Sequence, residues 1–78
     1  MRQLIQNHHG ALRRLEAHLD APRSAADCFP PLFKREIGES EYGLALVEAV
    51  AHVSHLYQEG RATRERRDDG AWIYQRRD

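Results

Sequence analysis

The stretch EAVAHVSHLYQEG, residues 48–60, sets four potential metal ligands at helical spacing. His52 and His55 stand three apart, and Glu48 and Glu59 lie four residues outside them. At 100° per residue the four side chains fall within an arc of about 60°, so neighbours could share an ion. The pattern lacks the internal glutamate of the His-Glu-x-x-His zinc proteases. A structural zinc site takes four ligands, commonly from several elements and often with cysteines. One helix would have to supply everything here. The other reading is Glu–His pairing at i,i+4 along a half-exposed helix edge, worth a few tenths of a kcal/mol. It uses all four residues without a ligand from elsewhere, so no metal ligand is assigned.

Three other groups could carry chemistry. His8 falls on the apolar side of the first helix with His9 beside it. No His-x-His-x-Asp-His pattern surrounds them, and the pair is read as structural. The single cysteine, Cys28, has no histidine near it in sequence to serve as a base. It is read as a small buried apolar residue. Arg61, Arg64, Arg66, Arg67, Arg76 and Arg77 cluster near the C-terminal end. On a DNA binder such residues contact phosphates. On a solvated hairpin they deter edge-to-edge pairing.

The elements that must position these groups follow from periodicity. Residues 3–19 read as an amphipathic helix, with Leu4, Ile5, His8, Leu12, Leu15 and Leu19 at spacings of three and four. DAPR, residues 20–23, ends it, because Pro22 disfavours helix before it. Ser24 resembles an N-cap, with Asp27 in the place of the usual Glu of a capping box. A short helix follows, which Pro30 and Pro31 are expected to stop or kink. Phe29, Leu32, Phe33 and Ile37 are offered to the core.

The strongest element spans about residues 41–59, with Ser40 as cap and Gly60 just past its end. Tyr42, Ala45, Leu46, Ala49, Val50, Val53, Leu56 and Tyr57 form its expected apolar face. Leu44, Val47 and Ala51 form a second stripe, covered by another helix or left for a partner. RATRERR and AWIYQRR flank DDG, and Asp-Gly is a strong hairpin signal. The order is helix, short helix, long helix, hairpin. That is the outline of a winged helix: mainly α, three helices followed by a two-stranded wing, in a single domain over residues 1–78.

With 78 residues there is room for one small core and one binding surface. The chain carries 12 basic and 12 acidic residues, so its net charge gives no basic footprint. The imbalance is local: residues 61–78 hold 6 arginines against 4 acids. The long helix, where a DNA reader would place its recognition helix, carries Glu41, Glu48 and Glu59 and no Lys or Arg. Phosphates would repel it. One cysteine permits no internal disulfide, which fits a reducing, cytoplasmic setting. No run approaches the roughly 20 apolar residues of a membrane span, and MRQLIQNHHG lacks the apolar core of a signal peptide.

HHGALRRLEAHLDAPRSAADCFPPLFKREIG, then ALVEAVAHVSHLYQEGRATR and a terminal hairpin, resembles the C-terminal winged-helix domain of metallo-β-lactamase-fold hydrolases. The resemblance runs from about Leu4 to Tyr74. Its most specific parts are LFKR at residues 32–35, EAVAH at 48–52, and Gly60-Arg61. The resemblance implies an accessory domain. A larger N-terminal αββα domain of the same polypeptide would hold zinc or another divalent metal. None of its ligands has a counterpart in these residues, so the chain itself carries no cofactor and no catalytic residue. The implied partner is that N-terminal domain, on which this domain packs and whose substrate entrance it helps shape. The candidate docking surface is Leu44, Val47, Ala51 and His52. Met1 is then an introduced or internal methionine, and the parent is expected to hydrolyse a thioester, lactone or similar ester with metal-activated water.

Two readings from other classes stand beside this one. One is a small winged-helix DNA-binding transcriptional regulator, contacting phosphates through Arg61, Arg64, Arg66, Arg67 and Arg76. The other is an interaction module that forms a homodimer through the Leu44 stripe. The acidic helix weighs against nucleic acid as a partner.

Overall fold

The protein is described from a computed structural model, covering residues 8–33 and 36–77. The expectations for residues 3–7 of the first helix, for the side chains of His8 and His9, and for the Lys34-Arg35 part of LFKR lie outside that description.

Helix α1 spans His8–His18. Ala11, Leu15 and Leu19, four apart, are fully buried, the stripe an i,i+4 rhythm makes on one helix face. The chain leaves through Pro22 into a two-residue strand, β1, Arg23–Ser24, which the sequence did not announce. Ser24 does cap. Its amide donates to Asp27 Oδ2 at 3.1 Å, and the Asp27 amide donates to Ser24 Oγ at 3.3 Å. This reciprocal box holds a 3-10 turn at Ala26–Cys28.

Helix α2, Phe29–Leu32, corrects the expectation for the prolines. They sit in its first turn, where a missing amide costs nothing because no carbonyl precedes it in the helix. Pro30 and Pro31 therefore start a turn instead of stopping one, and the Phe33 amide closes it on the Phe29 carbonyl. The Phe29 ring meets Phe33 edge-on and Tyr42 at a tilt, each at 5.4 Å between centroids.

Helix α3 runs Glu39–Gln58. Its N-cap is Gly38, and Ser40 lies inside the first turn, so the expected cap is two residues late. Glu39 and Glu41 in that turn complement the positive end of the helix dipole. At the other end Gly60 is the C′ residue, with φ of 76°. The Gly60 amide donates to the Tyr57 carbonyl and the Arg61 amide to the Leu56 carbonyl. These two bonds are the Schellman pattern.

Strands β2, Ala62–Arg66, and β3, Trp72–Arg76, form the expected hairpin. Its turn is a three-residue one: the Gly70 amide donates to the Arg67 carbonyl, and the Arg67 amide to the Ala71 carbonyl. Gly70 takes φ of 91° while Asp69 stays at negative φ. The turn is thus a bulged type and not the two-residue Asp-Gly turn, which needs positive φ at both residues. Strand order is β1-β3-β2, all antiparallel, with Arg23 opposite Tyr74 and Arg64 opposite Tyr74 on the other side.

The fold is three helices over a small three-stranded antiparallel sheet. The core joins Ala11 and Leu15 of α1 and Leu19 just past its end, Cys28, Leu32 and Phe33, Ala45, Ala49, Val53 and Leu56 of α3, and Ala62 and Tyr74 of the hairpin. The Arg76 amide ties β3 to the Leu19 carbonyl at 2.8 Å. The buried face of α3 is turned from the one expected: His52 joins it, while Tyr42, Val50 and Tyr57 remain exposed.

Candidate docking surface

Glu48, His52, His55 and Glu59 do occupy one side of α3, but they do not act as a set. His52 is 9% exposed, at the margin of the core and not on a half-exposed edge. Its Nδ1 lies 2.6 Å from the Glu48 backbone carbonyl, and so donates to it. The carboxylate of Glu48 is not that partner, and its Oε2 is buried without a hydrogen bond. His55 Nε2 and Glu59 Oε1 are 3.1 Å apart at the surface, the i,i+4 pairing expected. Among the described residues no group of three or more His, Cys, Asp or Glu is placed to hold a metal ion.

The opposite side of α3 is different in kind. At 100° per residue, an arc of about 160° runs through Leu46, Val50, Ser54, Val47, Ala51 and Leu44. Between Ser40 and Gln58 that arc carries no charged residue. Of the candidate docking residues, Val47 is 66% exposed and Ala51 is exposed, while Leu44 is half-buried. His52 faces away from them, towards the core. No helix covers this stripe among the described residues.

A shallow groove of about 280 Å³ continues the surface towards the hairpin. Leu46 and Val50 form one wall, Ala71, Trp72 and Tyr74 the other, and Ala25 and Ala26 close the end. Strand alternation explains the second wall. Arg64 faces Tyr74 and Arg66 faces Trp72 in the β2–β3 register, so all four side chains share the sheet face turned towards α3. Tyr74 reaches the core, and Trp72, one step further out, overhangs it.

The arginines are mostly engaged. Arg61 pairs with Glu16 of α1 at 2.9 Å. Arg67 pairs with Asp69 at 2.8 Å. The Asp69 carboxylate also accepts from the Ala71 amide. Its pKa is pulled down to about 2, chiefly by the Arg67 hydrogen bond. Arg66 Nε donates to the Gly70 carbonyl. Arg64 is half-buried and lies over two rings at once, 4.1 Å from the Tyr57 centroid and 4.2 Å from that of Trp72. Arg76 closes the sheet next to the core through its amide.

The groove and the Arg64 contacts had no counterpart in the sequence reading. The signal was present in the hairpin register, since pairing across DDG puts Arg64 and Arg66 beside Trp72 and Tyr74. Which side of the hairpin would meet α3 was not legible before the sheet was placed.

A family model described as metallo-beta-lactamase-like, C-terminal domain, matches residues 12–77. The crystal structure of a beta-lactamase domain protein from Burkholderia ambifaria is similar, with a TM-score of 0.80 at 35% sequence identity. The match covers 90% of this chain and 21% of that one, so the chain spans about a fifth of that protein's length. No curated protein matches significantly. The chain belongs to the family of metallo-beta-lactamase-like C-terminal domains.

Proposed function

We propose that this member of the metallo-beta-lactamase-like C-terminal domain family is the accessory part of a longer hydrolase. It packs on a catalytic domain of the same polypeptide and helps shape the way in for substrate. The observation that carries this reading is the uncharged outer face of α3, on which Val47 stands 66% exposed. An exposed apolar stripe rimmed by polar residues is the kind of surface that a partner covers. We read the fold as a winged helix: a strand follows α1, two more helices follow it, and the hairpin's second strand lies central.

The division of labour follows from the donor groups. The α3 histidines do not fit a metal, because no group of three or more His, Cys, Asp or Glu converges among the described residues and His55 pairs with Glu59. The divalent metal of the parent would sit in the other domain. No helix among the described residues is long and apolar enough to cross a membrane.

The test uses the native polypeptide. Val47→Asp leaves this domain's own stability within about 0.5 kcal/mol, since the site is exposed, but puts a charge into the covered face. The wild-type polypeptide should unfold in one calorimetric transition, and the variant in two. An unchanged single transition would overturn the docking reading. So would a native product of 9.1 kDa, the mass of this chain alone.

A further inference from the structure

We infer that Arg64, held over the rings of Tyr57 and Trp72, is the charged anchor of that docking surface and takes an Asp or Glu carboxylate from the catalytic domain. The inference rests on the docking reading and names the chemistry of the partner.

Three observations converge. First, Arg61 and Arg67 already answer carboxylates, whereas Arg64 has none among the described residues. Second, its guanidinium carbon lies over two rings, 4.1 and 4.2 Å from their centroids. Those ring contacts occupy no oxygen acceptor, so its N–H donors stay available for a carboxylate. The rings also fix the side chain before a partner arrives, which lowers the ordering cost of binding. Third, Tyr57 belongs to α3 beside Val50, while Trp72 lines the groove. The clamp stands at the seam between the two apolar surfaces.

A partner that covers the uncharged face of α3 and fills the groove removes water from the seam. A guanidinium taken out of water without an anion is strongly disfavoured. The covering surface must therefore bring negative charge to this point. Tyr, Trp and Arg together are the residues that most often dominate an interface.

Arg64→Lys converts the anchor into an amine that a carbodiimide joins to a touching carboxylate, with loss of water as the amide forms. In the native polypeptide this variant should give a cross-link, mapped by mass spectrometry, between position 64 and an acidic residue of the catalytic domain. The wild type should give none there. In parallel, Arg64→Gln should raise the rate of proteolysis at the interdomain junction about ten-fold or more, with the circular dichroism unchanged.

A cross-link between two copies of the chain would overturn the inference in favour of a dimer contact. Absence of any cross-link, with junction cleavage unchanged in Arg64→Gln, would overturn the anchor. It would leave the docking reading intact if Val47→Asp still separates the domains. If Val47→Asp has no effect either, it is the docking reading that fails.

Discussion

Cys28 donates its thiol to the Ser24 carbonyl at 3.2 Å and is fully buried. Burial, with a smaller push from Asp27, moves its pKa from 9.0 up to about 12. The thiolate is the reactive species, so modification by an aromatic disulfide at pH 8 should run at least about a hundred-fold slower than for a free thiol. In denaturant it should become fast, and prompt labelling of the folded protein would contradict the packing described. That residue was legible in advance because small size and the lack of a nearby base both point inward. His52 was not. Helical spacing put it on the rim, and only the tilt of α3 against α1 and the sheet decides that the rim enters the core there. Arg64 was hidden for a related reason. Its partners come from a helix and a strand, and no spacing within one segment reveals a contact made between two.

Among the elements, α3 was the easiest to read, and its end shows why. Gly60 must hold φ of 76°, and the Schellman bonds of Gly60 and Arg61 depend on it. A side chain there meets no atoms but is strained by the backbone itself. Gly60→Ala should cost about 1–2 kcal/mol, lowering Tm by roughly 5–10 °C in a domain this small. Gly43, within α3 and with open space at its Cβ, supplies the contrast. Gly43→Ala should stabilise by about 0.5–1 kcal/mol. Thermal denaturation of the two variants checks the pair, and equal effects would contradict the assigned conformations. The start of α3 was misplaced because a serine and a glycine two residues apart can both cap. α2 was misread because proline breaks a helix interior yet suits a first turn. β1 left no trace at all: two residues show no alternation, and their pairing is made with a strand about fifty residues further on.

At the scale of the whole molecule, the sheet has its last strand in the middle. β3 supplies Tyr74 to the core, pairs with both other strands, and ties to Leu19 through the Arg76 amide. A chain ending at Gly70 would keep every helix but should lose cooperative folding. Thermal scans by circular dichroism would then show a broad slope in place of a transition. A sharp transition in that truncation would mean that the helices hold together unaided. The helical part of this architecture, and the hairpin, could be anticipated from periodicity and one Asp-Gly pair. The closure of β1 onto β3 could not, since it reports how distant segments meet.

That strand order also sets a timetable during translation. At roughly 5–20 residues per second, β1 leaves the ribosome several seconds before Tyr74, its register partner. Through that interval neither earlier strand has a neighbour to pair with, and the underside of α3 lacks its ring. A ribosome halted upstream of Trp72 therefore displays an open, greasy intermediate, the kind of surface that chaperones and quality-control proteases seize.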